Sequence, residues 1–118
     1  EDDDLDLELL FSKVRHNHVD YIQGFLSGRD GERVVHAVDA NGNTMLHICA
    51  QNNNRRIAAL LLAAGGQVSA KNFKALTPLD YADKYGFVKL AAFLEAHGGR
   101  RGAAGDGGGL AGNGAERG

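Results

Sequence analysis

The sequence predicts an all-α domain, a solenoid of stacked helix-turn-helix units joined by short hairpin loops, and three observations lead there. The first is self-similarity: displaced by 33 places, residues 39–66 fall on 72–99 with eight of 28 positions identical. The second is periodicity. Ile57, Leu60, Leu61 and Ala64, then Leu90, Phe93, Leu94 and His97, recur at the i, i+3, i+4, i+7 spacing of one buried helix face. The third is punctuation, because the identities Thr44/Thr77, Leu46/Leu79, Leu61/Leu94, Gly65/Gly98 and Gly66/Gly99 stand where a helix pair must be capped, packed or stopped.

The chain opens on an acidic run in which six of the first eight residues are Asp or Glu. Such a run could bind a cation or a basic partner but reads first as solvated charge and, since Leu5, Leu7, Leu9 and Leu10 lie within it and just after, also as the negative first turn of an opening helix. Residues 5–38 form a degenerate capping unit. Leu10, Val14, Asn17-His18, Tyr21, Ile22, Phe25 and Leu26 fit a helix pair displaced by 36 places, as if three residues were added to the Gly28–Val38 connection.

The two clear units are 39–71 and 72–99. Each first helix opens at a threonine, Thr44 or Thr77, whose hydroxyl accepts from an unpaired first-turn amide. Pro78 occupies N1, where its missing donor costs nothing, and Asp80 completes a capping box; in the earlier copy Met45 and His47 stand at the positions of Pro78 and Asp80. Gly65-Gly66 and Gly98-Gly99 stop the second helices. The domain thus runs over 1–99, and residues 100–118, rich in glycine with little to bury, read as a disordered tail.

These features resemble the ankyrin repeat: the 33-residue period, the Asp39-x-x-Gly42-x-Thr44-x-Leu46-His47 opening, the Thr77-Pro78-Leu79 opening and Leu-rich second helices ending in glycine. Three departures stand out. Asn53 replaces the inter-helix glycine and tolerates a left-handed backbone, and Asp80 replaces histidine but still caps. Ala75 replaces the turn glycine, which implies a turn either distorted or not left-handed at that point.

Local chemistry offers several constellations that structure explains better than catalysis. Asp39, Thr44 and His47 mimic a nucleophile, base and orienter, yet each already has a turn or cap to serve, and no Gly-x-Ser-x-Gly elbow accompanies them. His16-x-His18 and His47-x-Cys49 are the closest metal-like pairs; residues two apart on a helix diverge by about 160°, so no metal site is expected. Cys49 aligns with Ala82 and reads as a small core residue. Gly98-Gly99-x-x-Gly102-x-x-Gly105 follows a helix rather than a strand and is no phosphate loop; Arg100-Arg101-Gly102 is a linker, not an RNA-binding tail. No cofactor and no enzymatic activity are expected.

A net charge of −2 and a pI of about 6.2 lack the concentrated positive field that nucleic acid requires. The longest apolar run, Ile57–Ala64, ends at Gly65-Gly66, short of a membrane span. One cysteine allows no intrachain disulfide, which fits an intracellular and reducing place such as the cytoplasm. The chain starts at Glu1 without methionine or an apolar leader, leaving a piece of a longer protein as one reading.

What the ankyrin resemblance implies is protein binding through hairpin tips and the concave side of the first helices. Carried onto this chain, the tips are Ala40, Asn41 and Asn43, then Lys71, Phe73, Lys74 and Leu76; the helix ends add Gln51, Asn52, Lys84 and Tyr85. Phe73 and Tyr85 are the expected energetic anchors, with burial of Phe73 by its neighbours as the rival reading. Lys71, Lys74 and Lys84 make the face mildly basic and suited to an acidic partner segment. Two other roles remain open: a structural subunit of a larger assembly, and the regulatory segment of an enzyme whose catalytic part lies elsewhere.

Overall fold

The computed structural model describes residues 6–102, and among these it contains seven helices and no strand. They are α1 (Leu7–Arg15), α2 (Val19–Leu26), α3 (Gly31–Val35), α4 (Met45–Asn52), α5 (Arg55–Ala63), α6 (Pro78–Lys84) and α7 (Val88–Ala96). Three antiparallel pairs result: α1 with α2, α4 with α5 and α6 with α7. The first helices α1, α4 and α6 lie side by side in one layer, and α2 packs on α5 in the other. Residues 1–5 and 103–118, which hold most of the acidic run and of the glycine tail, lie outside the described residues.

Helix starts obey the local chemistry read from the chain. Thr44 and Thr77 are N-caps in extended backbone, each closing a capping box: Thr44 N–H donates to His47 Nδ1 at 3.0 Å, and Thr77 N–H to Asp80 Oδ2 at 2.9 Å. Asp6 caps α1 by accepting from Leu9 N–H at 3.0 Å, with Glu8 in the first turn. Helix stops obey it as well. Gly65 and Gly98 adopt φ +102° and +91°, and the next residues, Gly66 and Gly99, donate back to Leu61 and Leu94 carbonyls at 2.8 and 2.7 Å.

The core is continuous from Leu10, Phe11 and Val14 through Met45, Leu46, Ile57 and Leu61 to Leu79, Leu90 and Leu94. Cys49 and Ala82 are buried at equivalent positions, and burial pushes the Cys49 thiol pKa well up, so the sulfur stays protonated and inert. On the predicted buried faces, Leu60, Ala64 and Phe93 are half-buried and His97 is exposed. His97 is the C-cap of α7 and its ring bonds the Phe93 carbonyl at 2.9 Å, so it closes the helix instead of filling the core.

Three features differ from the sequence expectation. The Gly28–Val38 connection coils into α3, which buries Val34 and Val35 against the capping pair; the added residues thus extend the core. Ala75 is left-handed at φ +64°, matching Gly42 at φ +78°, so the turn keeps its geometry and the alanine carries the strain. The ordered chain also passes the boundary expected at 99. Arg100 C=O accepts from the Thr77 hydroxyl at 2.6 Å, Gly102 N–H donates to Asp80 Oδ2 at 2.8 Å, and Arg101 pairs with Asp83 and Glu95.

Candidate protein-binding face

Two hairpins of the same construction project beside the first helices. In the earlier one the Asp39 carboxylate accepts from the Asn41 and Asn43 amides at 2.8 and 3.0 Å. In the later one the Asn72 side-chain oxygen accepts from the Lys74 and Leu76 amides at 2.9 and 3.0 Å. Asp and Asn suit this position because a short side-chain oxygen can reach amides two and four residues on.

Three bonds tie the later hairpin to the unit before it, two to the earlier hairpin and one to α4. Phe73 N–H donates to the Asn41 carbonyl at 3.0 Å, Asn72 Nδ2 donates to Asn43 Oδ1 at 2.7 Å, and His47 Nε2 donates to the Leu76 carbonyl at 2.8 Å. Because His47 Nδ1 accepts from Thr44, the proton must sit on Nε2. Burial lowers the His47 pKa below its ordinary value, against smaller opposing effects that include the Leu76 bond, so the ring is neutral at physiological pH.

Between the hairpins and the ends of α4 and α6 lies a depression of about 270 Å³. It gathers seven of the residues expected to bind: Asn41, Asn43, Gln51, Lys74, Leu76, Lys84 and Tyr85. Tyr85 is 47% exposed and stacks on Tyr81 with ring centroids 6.4 Å apart, while Lys84 Nζ lies 5.6 Å from the Tyr85 ring centre. Among the described residues neither Lys74 nor Lys84 forms an ion pair.

Not every expected contact residue faces outward. Asn43 is only 5% exposed, and its amide is engaged by Asn72 and Asp39; it reaches the depression as scaffold, a correction imposed by the cross-hairpin bond. Leu76 is half-buried against the core. Asn52, Lys71 and Phe73 lie outside this depression, Asn52 donating to the Ile48 carbonyl at 2.9 Å. Phe73 is 77% exposed, which settles its rival reading of burial, and its ring rests over Gly42, where an added Cβ would meet Cδ1 at 2.6 Å.

Sequence reasoning missed Asn72 and Tyr81. Asn72 Nδ2 also reaches the Tyr81 hydroxyl at 2.9 Å, so this buried pair supports the floor of the depression. The alignment of Asn72 with Asp39 was a usable signal, since both carry the oxygen the hairpin needs. It also missed Asn54, buried and donating to the Val14 carbonyl at 2.6 Å, which ties the capping unit to α5 across 40 residues. A second depression, of about 540 Å³, lies between α1 and the earlier hairpin and shares Asn41 with the first. The i, i+4, i+8 spacing of Leu7, Phe11 and Arg15, which line it, was its signal.

Paired helices in two layers, with hydrogen-bonded hairpins between units, define a helix-hairpin solenoid. The family model of ankyrin repeats in three copies matches residues 9–101, and the chain belongs to the ankyrin repeat family. It is 37% identical over 84 residues to human SH3 and multiple ankyrin repeat domains protein 2, covering 70% of this chain and 4% of that protein. It is 31% identical over 88 residues to mouse diacylglycerol kinase iota, covering 75% of this chain and 8% of that protein. The chain therefore spans under a tenth of either relative. Ankyrin repeats are generally protein-interaction modules and typically non-catalytic. No described helix is long and apolar enough to cross a membrane.

Proposed function

We propose that this chain binds a segment of another protein in the depression between its hairpins, with Asn41, Gln51, Lys74, Leu76, Lys84 and Tyr85 as contacts. The observation that carries this is convergence: residues from two hairpins and two helix ends line one concavity. Two lysines without ion-pair partners among the described residues favour an acidic segment, and Tyr85 offers a stacked, preorganised apolar surface. Phe73 extends the contact along the hairpin tip, with Lys71 and Asn52 at the periphery. The protein acts inside the cell, where a lone thiol such as Cys49 stays reduced.

The test is affinity purification with the native chain beside a Lys74→Glu, Lys84→Glu, Tyr85→Ala variant. Loss of the captured protein with the variant, at unchanged helix content, supports the reading. Equal capture by both overturns it. A second reading, the regulatory part of a larger enzyme, is favoured by the similarity to a small share of a diacylglycerol kinase. It predicts that the full-length protein changes its activity when the same three substitutions are made.

A further inference from the structure

Among the described residues, two depressions of different chemistry meet at Asn41 on the concave face. The one beside α1 is the larger and more apolar, with Leu7, Phe11, Val38 and Ala40 in its lining. Its charges largely offset one another: Glu8 stands with Arg15 in the lining, and the Asp39 carboxylate is already held by the Asn41 and Asn43 amides. The one beside α6 is polar and carries Lys74 and Lys84. Asn41 and Gln51 lie in the lining with side-chain amides that make no hydrogen bond among the described residues.

Resting on the function proposed above, we infer that the partner is an extended segment with two unlike ends. One bulky apolar side chain fills the depression beside α1, and a carboxylate five or six residues away meets Lys74 and Lys84. The spacing comes from packing geometry. Neighbouring helices lie about 8–10 Å apart, so α1 to α6 across α4 is about 16–20 Å. Extended chain covers about 3.3–3.6 Å per residue, which gives five or six residues. A helical segment satisfies its own backbone and leaves Asn41 and Gln51 unused, whereas an extended backbone exposes both the donors and the acceptors that carboxamides match.

The experiment is selection from a random 12-residue peptide library displayed on phage, against the native chain and against Ala40→Trp and Lys84→Glu. Ala40 and Lys84 are exposed, so both variants keep the core intact, and circular dichroism verifies this. Against the native chain, the expected consensus has one Leu, Ile, Phe or Trp and an Asp or Glu five or six positions away, in a fixed order. Measured by fluorescence anisotropy, the consensus peptide loses about tenfold affinity with either variant and about a hundredfold with both. Selection against Lys84→Glu removes the acidic preference and keeps the anchor; selection against Ala40→Trp does the reverse.

An acidic consensus without a spaced anchor, still sensitive to Lys84→Glu, overturns the two-ended segment and leaves the proposed function standing. A consensus insensitive to both variants, or no enriched sequence, overturns both.

Discussion

The two clear repeats place different chemistry at the same position. In the interior repeat His47 accepts from Thr44 on one nitrogen and donates from the other to the Leu76 carbonyl of the next hairpin. In the last described repeat Asp80 accepts from Thr77 and from the Gly102 amide. The difference lies in the segment that packs against each unit from its C-terminal side: a hairpin that presents a carbonyl needs a donor, and a chain that presents an amide needs an acceptor. A position inside a repeat is therefore chosen by the neighbour it faces as well as by the helix it starts.

The largest effect that sharpens this contrast is in packing. Leu61→Ala, in the repeat flanked on both sides, is expected to cost about 2–5 kcal/mol in urea unfolding. Leu94→Ala removes an equally buried side chain from the last described repeat and is expected to cost less, because α7 packs mainly on α6. Equal losses would show that the stack unfolds as one unit insensitive to position.

Exchanging the caps breaks the comparison directly. His47→Asp sets a carboxylate against the Leu76 carbonyl, and Asp80→His sets a ring N–H, or loses an acceptor, against the Gly102 amide. Each swap is expected to destabilise by about 1–3 kcal/mol, although both residues serve well in the other repeat. Thermal unfolding of the two variants decides it, and an unchanged midpoint in either would mean that onward bonding contributes nothing.

His47 also gives the interior repeat an acid dependence. Its folded pKa lies below its unfolded value of about 6.5, so between the two the unfolded chain binds more protons. Stability is accordingly complete above about pH 6.5 and falls as the pH drops through the folded value. In His47→Gln this contribution is expected to vanish, leaving a flatter midpoint between pH 7.5 and 5.5.

The smallest effect concerns the turns. Ala75→Gly relieves a left-handed alanine and is expected to stabilise by about 0.5–1 kcal/mol. Gly42→Ala goes the other way and further, since it adds strain at φ +78° and a contact with the Phe73 ring. Both are read from chemical denaturation at fixed pH.

What could be read from the chain was chemistry completed within a few residues. The Thr44 and Thr77 caps, the Gly65 and Gly98 stops, the left-handed Asn53 and the 33-residue register all rest on bonds or packing within one helix pair. Ala75 shows the limit of that reading. Local strain argued for an irregular turn, but the Asn72 bonds to the Lys74 and Leu76 amides and the cross-hairpin ladder hold the regular one.

The candidate face divides in the same way. Asn41, Gln51, Lys74, Lys84 and Tyr85 could be named because the repeat register assigns each a place on the hairpins or helix ends. Which of them share one concavity, and that Asn43 turns inward, depend on bonds between groups 29 residues apart, Asn43 to Asn72 and His47 to Leu76. The coiling of α3, the docking of Arg100–Gly102 and the second depression beside α1 are likewise products of surfaces meeting across units. Helices, their ends and their period were set by the order of residues along the chain, since those energies are local; the choice of side chains that face a partner was left to the packing of whole units, since burial depends on what the neighbouring repeat covers.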